Sequence, residues 1–338
     1  MIDEDLQTLY PEVPLDTASL QRAREQVFAT VTPRRRRWQP GLAILATAAA
    51  VTAVAFVALR PETTPAAPGA MVEVAQILQT AADAEIRTVD PRIPAGQFRY
   101  LSTHALSMTY TDAGSQHFAV REGRKIEVWV PADHHDEWAM RESDTGERTW
   151  LVGTEAQARK IGAGSPQRPP TDLRGKCGIW YPQQGKNPCT QSGNWQEPTD
   201  TFIEKLPRDP GKLLDRLRRD TQGKGNDPDQ EVLVYVADAL RSARLPADVR
   251  AALYRSLALL PDLVITERTA TLDGRKGTAF GITAAGQTRE IIIDPRTGDF
   301  VGERTRLAQK MDRIAAGTVI ESSSITYGIS RKAGAPPN

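Results

Sequence analysis

The chain has 338 residues, with 43 Lys and Arg against 42 Asp and Glu and a formal net charge of +1. That balance supplies no global field to draw a nucleic acid, so no nucleic-acid partner is expected. The residues beyond about position 60 suffice for one large domain or two small ones.

Residues 1–37 read as a short cytoplasmic segment. Asp16 or Thr17 caps a helix running to about Val31, with Leu20, Ala23, Val27, Phe28 and Val31 at helical spacing. So short a helix buries too little to fold alone. It either docks on a partner through Leu20, Val27, Phe28 and Val31 or stays a solvated flank. Between Gly41 and Leu59 no charge occurs, and Arg34-Arg35-Arg36-Arg37-Trp38 precede the run. At ~1.5 Å per residue it is ~28 Å long, against a hydrocarbon core of ~30 Å. Residues 38–60 are therefore expected as a transmembrane helix with the lipid bilayer as partner. The arginines put the N-terminus in the cytoplasm and the C-terminus outside, a single-pass cell-membrane topology. A cleaved signal peptide is the alternative, since Ala66-Ala67-Pro68-Gly69-Ala70 offers small residues.

Residues 61–70, rich in Pro and Ala, read as a stiff stalk. An α+β domain over 71–330 follows, opening with a helix over about 71–88. A period-two strand runs from Phe98 through Tyr100, Leu106 and Met108 to Tyr110. The spacing predicts further strands over 116–121 and 126–130 about a turn at Glu122-Gly123-Arg124. A hairpin is expected from 138–142 and 148–152 around Asp144-Thr145-Gly146. Residues 153–209 show no period and read as a long loop, either functional or mobile. Helices are predicted over 211–220, 229–243 and 247–260, the first two signalled by Asp209-Pro210 and Asp227-Pro228. Strands return over 263–272, 277–283, 288–294, 300–307 and 319–329, and the tail 331–338 is expected to be disordered. Strands, then helices, then strands give an extracytoplasmic curved antiparallel sheet, an open half-barrel with inserted helices.

Few residues carry a chemical signature. Cys177 and Cys189, the only cysteines, fall outside the membrane with eleven residues between them, which reads as a disulfide. The metal and redox alternatives lack further soft ligands and a Cys-x-x-Cys motif. His134-His135-Asp136-Glu137 is the most metal-like string, but adjacent His residues on a strand point to opposite sides, so a solvated turn is the plainer reading. No acid/base pair, nucleophile elbow, Walker loop or dinucleotide fingerprint is present, so neither an enzyme nor a cofactor is expected. Tyr100, Leu106, Met108, Tyr110 and Trp129 are the candidate apolar ligand face, fit for a lipid or apolar peptide; ordinary packing between sheet and helices is the competing reading.

Two stretches carry a resemblance. One is Leu6-Gln7-Thr8-Leu9-Tyr10-Pro11 with Leu15-Asp16 and Leu20-Gln21-Arg22-Ala23-Arg24 before the arginine-flanked run. The other is Arg250-Ala251-Ala252-Leu253-Tyr254-Arg255-Ser256-Leu257-Ala258, followed by Asp273-Gly274-Arg275 and Glu290-Ile291-Ile292-Ile293-Asp294-Pro295-Arg296-Thr297-Gly298. Together they resemble actinobacterial single-pass membrane proteins of uncharacterised function, often encoded beside extracytoplasmic-function sigma factors. Their outer domains look like the half-barrels of lipoprotein carriers and of an envelope-stress regulator. The resemblance implies a non-enzymatic, anti-sigma-like regulator or sensor, whose outer domain binds an envelope component and whose cytoplasmic segment engages a partner of the sigma-factor class. The alternative it implies is a membrane-tethered lipid or lipoprotein carrier.

Overall fold

The computed structural model describes residues 68–87, 92–113, 116–162, 168–242 and 244–337. Leu20, Val27, Phe28, Val31 and the charge-free run 41–59 lie outside the described residues. Among the described residues no helix is long and apolar enough to cross a membrane.

Helix α1 (Pro68–Arg87) starts the domain, so the last three residues assigned to the stalk belong to a helix. Proline is tolerated there because the first helical turn has no intrahelical use for its N–H. Three long strands follow, β1 (Phe98–Ala113), β2 (Gln116–Pro131) and β3 (Glu137–Val152). After α2 (Glu155–Lys160), β4 (Thr171–Lys176) and a 3₁₀ turn at Pro188–Thr190 come α3 (Asp200–Glu204), α4 (Pro210–Asp220), α5 (Pro228–Arg241) and α6 (Ala247–Leu257). The chain ends in β5 (Val264–Leu272), β6 (Arg275–Ala284), β7 (Gln287–Ile293), β8 (Phe300–Leu307) and β9 (Val319–Ser330). The nine strands of the described residues form one antiparallel sheet in the order β4-β3-β2-β1-β9-β8-β7-β6-β5. The fold is α+β with an open, curved sheet.

Two expected turns are absent. Gly123 sits inside β2 opposite Leu106, and Asp144-Thr145-Gly146 lies within β3. The β2–β3 register jumps from Arg124↔Asp144 to Glu122↔Arg148, leaving Thr145, Gly146 and Glu147 as a bulge. A Cβ on Gly123 would collide with Thr145 Oγ1, so this glycine serves a close approach, not a reversal. The segment 153–209 is also more structured than its lack of period suggests, since α2, α3 and β4 are each only 5 or 6 residues long. The Asp-Pro signals hold: Asp209 accepts from Lys212 N, and Asp227 accepts from Asp229 N and Gln230 N.

The main core lies between the helices and one face of β6–β9. Leu78, Leu213, Leu217, Leu233, Val236, Leu253 and Tyr254 meet Phe280, Ile291, Ile293, Phe300 and Ile325 there. Tyr254 is fully buried and donates to Gly298 O at 2.8 Å, and burial pushes its phenol well above the ordinary value. On the opposite face the sheet curls. Asp273, in the β5–β6 turn, accepts from Ser324 Oγ on β9 and lies 2.8 Å from His104 Nδ1 on β1. Four strand spacings of ~4.8 Å would hold β5 and β9 ~19 Å apart in a flat sheet. Inside this curl sit Ala270, Ala279, Ile292 and Val301, and a ladder in which Arg304 reaches Glu290 and Glu267 while Arg306 reaches Glu290.

The tail is ordered along the sheet, not loose. Trp129 Nε1 donates to Ala335 O at 2.6 Å, Arg141 Nη1 donates to Gly334 O at 3.3 Å, and Ser330 Oγ donates to Ala335 O at 2.8 Å. The first of these bonds satisfies an indole N–H that would otherwise be buried without a partner.

Candidate functional site

The five residues expected to line an apolar face do share one. Tyr100, Leu106, Met108 and Tyr110 alternate along β1, and Trp129 is the register partner of Tyr100. Their face is the one that His104 and Ser324 present to the β5–β6 turn, the inside of the curl. They do not form one surface. Tyr100 and Trp129, with ring centroids 5.6 Å apart, are buried with Ala139 and are packed by Phe98 and Ala333. Met108 and Tyr110 pack on Ala119, Leu307, Ile314 and Ile320, and the β8–β9 connection supplies Met311 to the same cluster.

Between the two clusters the face is polar. Glu127 accepts from Tyr100 Oη at 2.5 Å and from Lys125 Nζ at 2.8 Å. Burial opposes ionisation of Glu127, but those two donors prevail and hold its carboxyl below the ordinary range. Burial and the carboxylate push the Tyr100 phenol upward. His104 sits between Asp273 at 2.8 Å and Glu147 of the β3 bulge at 3.3 Å, so one imidazole ties β1, β3 and the β5–β6 turn together.

Cys177 and Cys189 form a disulfide with Cα atoms 5.3 Å apart. Arg244 rivets this loop to the sheet. Its guanidinium lies 4.1 Å from the Trp138 ring centroid and donates to Cys177 O at 2.6 Å and Pro198 O at 2.7 Å. Burial pulls the pKa of Arg244 down to about 10, against the opposing pull of Asp200 and Glu197. The histidine string is taken up by local pairs. His134 Nδ1 is 3.5 Å from Asp200 Oδ1, and His135 Nδ1 is 3.1 Å from Asp133 Oδ1. Among the described residues no His, Cys, Asp and Glu group is arranged to hold a metal.

A cleft lies elsewhere, in the helical layer. It holds about 440 Å³ and is lined by the loop 192–196 with Phe202 and Lys205 around α3, Arg216 and Asp220 of α4, and Tyr235 of α5. That volume falls within the ~300–1,000 Å³ of small-ligand sites. Trp195 and Phe202 meet edge to face at 5.2 Å and are only 2% and 7% exposed, so they form its floor. Asp220 Oδ2 accepts from Trp195 Nε1 at 2.8 Å and from Arg216 Nε at 2.6 Å. Arg216 also stands 5.7 Å from the Phe202 ring centroid. The loop is pinned: Asn194 Oδ1 accepts from Gln196 N and Glu197 N, each at 2.9 Å. Gly193, at φ +66°, packs where a Cβ would lie 2.6 Å from Thr199 N. Burial, with Glu231 and Asp220 nearby, raises the Tyr235 pKa and keeps its hydroxyl a donor.

The sequence did not single out this cleft, because its wall comes from four separate segments. The usable signals were the aperiodic stretch 153–209 and the Arg216/Asp220 pair at i,i+4 spacing. No protein-family model matches the chain, and no curated protein matches it either.

Proposed function

We propose that the chain is a non-enzymatic, membrane-anchored regulator. Its folded domain binds an envelope component in the helical-layer cleft, and residues 1–37 engage a cytoplasmic partner of the sigma-factor class. The observation that carries this reading is the Cys177–Cys189 disulfide, because such bonds persist in oxidising compartments outside the cytoplasm. The arginine asymmetry around residues 41–59 independently supports that side for the domain. The cleft, with a pinned loop and a packed aromatic floor, supplies a preorganised place for a ligand.

The test is in two parts. A reporter fused after residue 70 should be active only when exported. The native cytoplasmic segment should retain a sigma factor in a pull-down that the Val27→Asp/Phe28→Asp double variant loses. A mature protein beginning near Ala70, or no cytoplasmic protein retained by either form, overturns the regulator reading.

The tethered-carrier alternative draws support from the shared inner face of Tyr100, Leu106, Met108, Tyr110 and Trp129. It requires the tail and the β8–β9 connection to leave that face before an acyl chain could enter.

A further inference from the structure

We propose that the cleft of Trp195, Lys205, Arg216 and Tyr235 is a receptor for the free carboxylate end of a short peptide. The proposal rests on the reading of the domain as a ligand-binding module and names the ligand of that module.

Charge points to an anion. Asp220 is already engaged by Trp195 and Arg216, both on one carboxylate oxygen. Lys205 Nζ has no ion-pair partner among the described residues, and Arg216, which also lines the cleft, hydrogen-bonds Asp220 through Nε alone. Lys205, Arg216 and Asp220 together leave the lining one positive charge in excess. A monoanionic carboxylate matches that excess, and a guanidinium fork suits it geometrically. A dianionic phosphate would face the Asp220 carboxylate with its second charge uncompensated.

The floor argues against a saccharide. Sugar recognition on aromatic rings needs an open ring face, yet Trp195 and Phe202 are almost wholly buried and Arg216 covers the Phe202 ring. The remaining lining suits a peptide backbone: Ser192, Asn194, Gln196 and the Tyr235 hydroxyl offer donors and acceptors around the cationic end. Because the loop is already fixed by Asn194 and Gly193, binding costs little ordering of the receptor.

The test titrates the full chain, in detergent micelles, with tri-alanine, tri-alanine amide and inorganic phosphate, read by calorimetry. Tri-alanine should saturate one site, and the amide should bind at least about tenfold more weakly, the loss of roughly one charge-assisted hydrogen bond. Phosphate should not displace the tripeptide. Lys205→Gln, an exposed substitution, should weaken tri-alanine by about tenfold with an unchanged melting temperature. Equal binding of acid and amide, displacement by phosphate, an unaltered Lys205→Gln variant or no saturable heat each overturns the proposal. A chain that binds tri-alanine yet retains no cytoplasmic protein keeps this site and loses the regulator reading. One that retains a sigma factor but ignores tri-alanine does the reverse.

Discussion

One continuous ladder of strands is stabilised in two different ways. In β5–β9 the sheet lies against the helices, and its side chains join a single large core in which Leu253, Leu257, Val236 and Ile293 have no exposure. In β1–β4 the first three strands have 16 residues each, but buried apolar groups collect only in small clusters at the two ends. The stretch between relies on cross-strand charges such as Arg124–Glu142 at 2.7 Å, Arg148–Glu122 at 2.5 Å and Arg141–Asp172 at 2.8 Å. Partly exposed pairs of this kind contribute ~0–1 kcal/mol each, whereas each fully buried large apolar side chain contributes ~1.5–3 kcal/mol. Backbone pairing alone thus does not set local stability; what covers the ladder does. The β1–β4 half should open at lower free energy, and the helices with β5–β9 should open only on global unfolding.

The sharpest way to break this comparison is a matched pair of truncations. Leu253→Ala in the core should cost ~2–5 kcal/mol, and Leu106→Ala on the half-buried inner face less than half as much. Chemical denaturation of both variants checks it, and equal losses would erase the distinction between the halves.

The next effect concerns the charges inside the curl. Glu290 is almost wholly buried; desolvation alone would raise its pKa, but Arg304, Thr266 and Arg306 outweigh it and hold the carboxyl below its ordinary value. Because the fold keeps Glu290 ionised more firmly than the unfolded chain does, its contribution is complete above the ordinary carboxylate range. It is lost as pH falls through the depressed folded value. Glu290→Gln should cost ~2–3 kcal/mol at neutral pH and flatten the acid limb of the stability curve, measured by denaturation between neutral and strongly acidic pH. A wild-type acid limb as flat as the variant's would show that the ladder is silent.

The smallest expected effect belongs to the other half. Trp129→Phe keeps most of the ring packing but removes the donor to Ala335 O, a loss of ~1 kcal/mol. Limited proteolysis should then cut within residues 331–337 well before the sheet. Cleavage no faster than in the native chain would mean that the tail is held by packing alone.

Much of the architecture was readable from the sequence, for reasons that also explain the failures. Helices α4 and α5 announced themselves through Asp209-Pro210 and Asp227-Pro228, and β6–β8 through apolar runs between Asp-Gly and Asp-Pro-Arg-Thr-Gly turns. Strands β2 and β3 were misread because Gly123 and Asp144-Thr145-Gly146 carry turn chemistry. The structure uses them for a bulge and for the close approach beneath it. Elements of 5 or 6 residues such as α3 and β4 are too short to display a period. The Cys177–Cys189 bond was legible from spacing. The cleft was not, because Lys205, Arg216 and Tyr235 become neighbours only after three helices have packed.

Because the curl never closes into a barrel, the sheet keeps two outermost strands, and each resists recruitment by another chain in its own way. Strand β4 has only six residues, with Thr171, Asp172, Arg174 and Lys176 exposed, too short and too charged to template a neighbour. Strand β5 is broken twice in register, between Ile265 and Glu267 and again before Ala270, and Arg268 is drawn aside to Glu73 of α1. A flat, unbroken margin at either place would invite strand-by-strand polymerisation. Irregularity at one border and brevity with charge at the other make a nine-stranded open sheet a poor seed for its own aggregation.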